Sequence, residues 1–163
     1  DYTKKPPPTP YLGMGAVEGR QHWGTLYSAH VWTAGWLAHY YLSGYHRGLD
    51  VAQLTANTYL KRIWGNHGLT GRRLYLSIWN IAEVYDATKS SKYWDELQYR
   101  INILLELQIK QGGNLLSDRY GYAQPYITNG LRKVLQFEKR PDIEKAIVEH
   151  ARWVRDVPPM NHT

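Results

Sequence analysis

The sequence predicts an all-α fold of three consecutive helical hairpins, and two observations carry that prediction. Segments that are apolar around their whole circumference alternate three times with segments that are apolar on one side only. A helix apolar all round is enclosed by protein, whereas a one-sided helix shows its other face to water. The alternation also recurs at a period of roughly 45–50 residues, which is the length of one stacked hairpin. The ends of the three enclosed segments align as Tyr41-Leu42-Ser43-Gly44, Tyr85-Asp86-Ala87-Thr88 and Phe137-Glu138-Lys139-Arg140, with Ala38, Ala82 and Val134 three residues before each aromatic.

Each element has its own justification. Residues 1–24 read as an extended lead segment, Pro-rich over Asp1–Pro10 and Gly-rich over Tyr11–Gly24. Residues 25–163 form the helical-hairpin domain. Its first helix, about Ser28 to Leu42, is apolar all round and stops at Ser43-Gly44, a helix-ending pair. The second, about Asp50 to Ile63, opens on Asp50 as N-cap and shows a stripe at Val51, Leu54, Thr58 and Ile63. The third, about Arg73 to Ala87, is again apolar nearly all round. The fourth, about Ser91 to Gln108, carries Trp94, Leu97, Ile101, Leu104, Leu105 and Gln108 on one side and ends before Gly112-Gly113. The fifth, about Tyr126 to Glu138, follows Pro125, which suits a first helical turn, although Arg132 and Lys133 interrupt its apolar character. The sixth begins at Pro141-Asp142 with a stripe of Ile143, Ala146, Ile147, His150, Ala151 and Val154. On this reading the first, third and fifth helices are the more buried set, and the first anchors the core.

The composition narrows the chemistry. With 163 residues, 43% apolar and 21% charged, the chain is one globular domain in size. It has no cysteine, so disulfides, thiolate chemistry and cysteine-ligated zinc are excluded. No apolar run reaches membrane-spanning length. There is no metal-ligand spacing, no phosphate-cradling glycine loop and no serine-nucleophile elbow. The predicted cofactor is none. The net charge of +6 favours an anionic partner, but the basic residues form no concentrated stripe, so nucleic acid is not the expected one. A chain beginning at Asp1 without Met reads as a processed or truncated piece.

The aromatic residues point to a ligand. Fourteen Tyr and seven Trp stand against a single Phe, so almost every ring carries a polar handle. Such rings offer an apolar face to the C–H side of a sugar and an O–H or N–H to its hydroxyls. They gather near the starts of the first, third and fifth helices: Arg20, His22, Trp23, His30 and Trp32; Arg72, Arg73, Tyr75 and Trp79; Tyr122, Gln124, Tyr126 and Asn129. Alternate helices of a hairpin array run parallel, so these three starts converge on one surface. His39, His46, His67 and His150 read as structural histidines.

Enclosed helices inside and one-sided helices outside are the layout of part of an (α/α) toroid; the competing arrangement is a plain bundle or solenoid. HVWTAGWLAHYYLSG, IAEVYDATKSSKYWDEL and YGYAQPYITNGL resemble segments of the (α/α)-toroid carbohydrate-active superfamily, which comprises six-hairpin glycosidases and toroid polysaccharide lyases. The similarity is one of style and repeat over about His22 to Val157. Three hairpins stand where that family closes a ring with about six, so the ring is either completed elsewhere or remains an open arc. The resemblance implies an oligosaccharide or polysaccharide, acidic or neutral, lying across one mouth of the barrel, and a secreted or periplasmic location.

The charges weigh the reaction types. Hydrolysis uses two carboxylates flanking the scissile bond, and the predicted mouth offers only Glu18 and Asp118, with Glu83 too far along its helix. β-Elimination of a uronate uses a cation or amide on the carboxylate and a His or Tyr to move the proton. His22, His30, Tyr122 and Tyr126 are the candidate catalytic groups. Arg20, Trp23, Trp32, Arg72, Arg73, Tyr75, Trp79, Gln124 and Asn129 are the candidate binding groups. The expected function is therefore lyase-like action on an acidic polysaccharide, with a glycoside hydrolase and a non-catalytic glycan-binding scaffold as the alternatives.

Overall fold

The structure is a computed structural model, and it describes residues 32–61, 69–116 and 124–156. Among these residues the regular structure is helical throughout: α1 (Ala34–Ser43), α2 (His46–Leu60), α3 (Gly71–Thr88), α4 (Ser91–Lys110), α5 (Gln124–Leu135) and α6 (Pro141–Asp156). The all-α class and the order of six helices agree with the sequence. The lead segment, and Ser28 to Val31 of the first predicted helix, lie outside the described residues.

Side-chain contacts fix the direction of every helix. Gly48, at the start of α2, lies against Trp36 and Tyr40 of α1, so the first two helices are antiparallel. Thr33 donates its backbone N–H to Asn80 Oδ1 at 2.9 Å, and further along both helices Tyr41 feels the charge of Asp86, so α1 and α3 run the same way. Gly130 opposes Ile78 and Trp79, and Lys133 reaches Asp86, so α5 runs with α3. On the other side of the molecule Asn57 meets Lys92 and Tyr93, and Arg100 meets Tyr59, which aligns α2 with α4. Gln98 meets Arg140 and Gln108 donates to the Ala146 carbonyl, which aligns α4 with α6. The result is two layers of parallel helices, α1-α3-α5 and α2-α4-α6, laid antiparallel to each other.

Burial follows the sequence for α3 and departs from it for α1. Leu74, Tyr75, Leu76, Ile78, Ile81, Ala82 and Val84 of α3 are all buried, as a helix with neighbours on most sides must be. In α1 only Leu37 is buried, while Gly35, Ala38, His39, Tyr41 and Leu42 are exposed. The expectation that the first helix anchors the core is therefore corrected. Its apolar circumference is not matched by neighbours, because α1 is the edge of the inner layer and α3 flanks it on one side only.

The second helix is corrected as well. It starts at His46 rather than Asp50, because Gly44 takes the left-handed conformation (φ 70) and turns the chain within two residues. Gly48 is no turn residue: a Cβ there would stand 2.5 Å from the Trp36 carbonyl oxygen, so the close approach of α1 and α2 requires glycine. The buried face of α2 is made of Gly48, Ala52, Thr55, Ala56 and Tyr59, and the expected stripe residue Leu54 is exposed. Small residues are buried here because the helices lie close together. In α6, Ile143, Ala146 and His150 are buried as expected, whereas Ala151 and Val154 are exposed. Of the predicted structural histidines, His150 is buried and bonded; His39 and His46 are exposed and pack edge-on or tilted against Tyr45 and Tyr40, and His67 lies outside the described residues.

A buried polar network ties four helices together. Arg100 has no exposed surface; its Nε donates to Glu96 Oε1 (2.9 Å), Nη1 to Ser77 Oγ (2.6 Å) and Nη2 to the Tyr59 carbonyl (3.0 Å). The Tyr59 hydroxyl accepts from Asn80 Nδ2, and Asn80 Oδ1 accepts from Thr33. Burial pushes the Tyr59 phenol up to about 12, against the opposing pull of its Asn80 hydrogen bond, so it stays neutral. The start of α1 is thereby pinned midway along α3.

Candidate functional site

One stripe of α3 escapes burial. Arg72, Trp79, Glu83 and Asp86 are half-buried while the residues between them are largely enclosed. Spacings of seven, four and three residues put them on one side of a helix. The stripe runs between α1 and α5, and both neighbours contribute to it.

From α5, the Lys133 ammonium lies 2.6 Å from Asp86 Oδ2 and 3.5 Å from Glu83 Oε2, bridging the two carboxylates. The indole N–H of Trp79 donates to Glu83 Oε1 at 3.1 Å. At the end of α3, Lys89 Nζ donates to Asp86 Oδ1 at 2.6 Å. Lys89 holds a left-handed backbone conformation (φ 53), which costs a non-glycine residue roughly 1–2 kcal/mol. Its ammonium also stands over the rings of Tyr85 (5.5 Å) and Phe137 (4.9 Å), which with Trp94 make an aromatic cluster under the stripe. From α1, Tyr41 lies near enough to feel the charges of Asp86, Glu83 and Lys133.

The electrostatics are coupled. Burial works to raise Asp86, but hydrogen bonds and charge from Lys133 and Lys89 outweigh it and hold the carboxyl below its ordinary value. Burial works to lower Lys133, and Asp86 and Glu83 outweigh it, so the ammonium is held on. Burial, reinforced by the Asp86 charge, raises the Tyr41 phenol, which keeps its proton as a donor. The stripe therefore presents an indole, a protonated phenol, two carboxylates and a bridging ammonium in a row.

The predicted site residues divide into three groups. Arg20, His22, Trp23, His30 and Tyr122 lie outside the described residues, as do Glu18 and Asp118. Trp79 joins the stripe, with Arg72 at its beginning. The others are separate from it: Trp32 is partly exposed at the start of α1, Arg73 is half-buried in the first turn of α3, and Asn129 is exposed on α5. Tyr75 is buried in the core and offers no open face. Tyr126 is half-buried and packs against the core, and Gln124 pairs with His150 Nε2 at 2.9 Å.

The starts of α3 and α5 share one end of the inner layer, but the bond from Thr33 to Asn80 sets the start of α1 midway along α3. Two of the three expected starts are thus described as sharing one end; Ser28, where the first was expected, and His30 lie outside the described residues. Residues Tyr41, Glu83, Asp86 and Lys133 are additions that reading the helix starts passes over. The 79–83–86 spacing is the signal that reveals two of these four, Glu83 and Asp86, since it marks a polar line on an otherwise apolar helix.

No family model, curated protein or solved structure matches the chain. No helix among the described residues is long and apolar enough to cross a membrane.

Proposed function

We propose that the protein binds a carbohydrate along the open stripe of α3, and that its two layers curve as part of an (α/α) toroid. The observation that carries this reading is Trp79, half-exposed and hydrogen-bonded to Glu83, in line with Asp86, Lys133 and Tyr41. An indole face suits the C–H side of a pyranose, and charged acceptors and donors beside it make strong hydrogen bonds to hydroxyls.

Cleavage is a separate proposal. Asp86 is held ionised, so it accepts hydrogen bonds but delivers no proton near neutral pH. Asp86 thus supplies binding rather than the acid of a hydrolase. Turnover, in this reading, is β-elimination on an acidic chain, with His22, His30, Tyr122 and Tyr126 moving the proton and Arg72, at the beginning of the stripe, facing the uronate. A non-catalytic scaffold is favoured by one observation: Lys133 satisfies both carboxylates and so joins α3 to α5.

Calorimetric titration with uronate and neutral oligosaccharides tests the binding. Trp79→Ala should weaken it at least tenfold, about 1.4 kcal/mol, while Tyr99→Ala on α4 leaves it unchanged. New absorbance from an unsaturated uronate product establishes elimination, and new reducing ends without that absorbance establish hydrolysis. Absence of heat with every oligosaccharide rejects the reading.

A further inference from the structure

Helix α3 ends in a backbone conformation that its residue does not favour. The Lys89 N–H closes the helix on the Tyr85 carbonyl at 2.7 Å, with Lys89 left-handed at φ 53. The Gly44 N–H closes α1 on the Tyr40 carbonyl in the same way, at φ 70. Glycine enters that region without a Cβ clash and is the residue helix ends prefer there. Among the described residues, every other positive φ belongs to a glycine.

The two helix ends differ in what a side chain meets. A Cβ built on Gly44 has nothing within 4 Å. The Lys89 ammonium reaches Asp86 Oδ1 at 2.6 Å and stands 4.9 Å from the centre of the Phe137 ring. Lys133, arriving from α5, reaches Asp86 Oδ2 at 2.6 Å and stands 6.0 Å from the same ring. Two ammoniums thus flank one carboxylate, one on each oxygen. The Lys89 side chain is 61% exposed, and an ion pair so exposed adds little to stability. Backbone strain kept without a matching gain in stability marks a functional position.

We propose that Lys89 is a positioning residue of the α3 stripe: its left-handed backbone sets the ammonium on Asp86 Oδ1, so that Asp86 presents a fixed acceptor to a ligand hydroxyl. A carboxylate offers about four lone-pair directions on its two oxygens. The two lysines take one on each oxygen and stop the group from turning, which fixes the direction of those that remain. With Lys133 alone, the carboxylate would be held at Oδ2 only and could rotate. Asp86 keeps 33% of its side chain exposed, so a ligand can reach it. A hydrogen bond from a hydroxyl to a carboxylate so held is short and strong. The proposal rests on the carbohydrate reading for the identity of the ligand, and on the two ion pairs for the rest.

Carboxyl-resolved NMR titration of the full chain tests the hold on Asp86, and calorimetry with neutral and uronate oligosaccharides tests its consequence. Lys89→Gly removes the ammonium and the strain together. It should move the Asp86 titration upward, weaken oligosaccharide binding about fivefold, and melt no lower than the unaltered protein. Lys89→Arg keeps a cation in place and should retain both the titration and the binding. Lys145→Ala removes an equal charge from α6, where Lys145 pairs with Glu149, and should change neither. An Asp86 titration unmoved by Lys89→Gly, or unchanged binding while the titration moves, would overturn the proposal. If the unaltered protein gives no heat with any oligosaccharide, the carbohydrate reading fails. The Asp86 titration alone then decides whether Lys89 holds the carboxylate.

Discussion

Arg100 carries a charge with no exposed surface, and its partners come from its own helix and two others. Glu96, one turn earlier, neutralises it, while Ser77 and the Tyr59 carbonyl accept two more of its hydrogens. Removing one member of a buried pair leaves the other charge without compensation, so Arg100→Ala should destabilise the fold by about 3–5 kcal/mol in chemical denaturation. The double variant Arg100→Met, Glu96→Leu should recover much of that loss. His150 gives a second residue-scale test. Its Nδ1 accepts the Leu115 N–H at 3.2 Å, which leaves Nε2 to donate to Gln124. Burial holds His150 below its ordinary 6.5, so the unfolded chain takes up the proton first. Its contribution to stability is complete above that value and is lost as pH falls through the lowered one. The melting temperature should therefore fall as pH drops below about 6.5, and that of His150→Gln should fall less.

Helix α1 shows what an element's own sequence can and cannot say. Its turn-to-turn apolar character is legible, and so is its end at Gly44. Its burial is not, because an all-round apolar pattern reports the residues present and not the number of neighbours. Leu37→Ala should cost about 2–5 kcal/mol, since Leu37 is the buried contact of α1. Ala38→Asp, one residue on, should change stability little, as its side chain faces water. Equal losses from the two would restore the enclosed helix. Helices α3 and α4 were the most legible elements, being long and strongly periodic. The face of α2 was misread because its packing uses Gly48, Ala52 and Ala56, which an apolar-stripe reading passes over. Gly130→Ala tests close packing directly: its Cβ would meet Ile78 and the Trp79 backbone at 3.1 Å, and should destabilise by about 1–3 kcal/mol.

At the scale of the whole molecule, the parallel inner helices create the candidate site. Tyr41, Asp86 and Lys133 are far apart in sequence, and no local pattern joins them; the shared direction of α1, α3 and α5 sets them side by side. Helix starts, the feature most readable in sequence, do not reveal this polar line, because it runs along α3 rather than at its end. The buried network from Thr33 to Glu96 then fixes the height of α1 against α3, so Tyr41 arrives level with the acids. The most direct test is backbone-amide chemical-shift mapping during titration with a panel of acidic and neutral oligosaccharides. Saturable shifts centred on Tyr41, Trp79, Glu83, Asp86 and Lys133, with α2 and α6 unmoved, are the predicted result. Shifts confined to the outer layer, or none with any oligosaccharide, would contradict it.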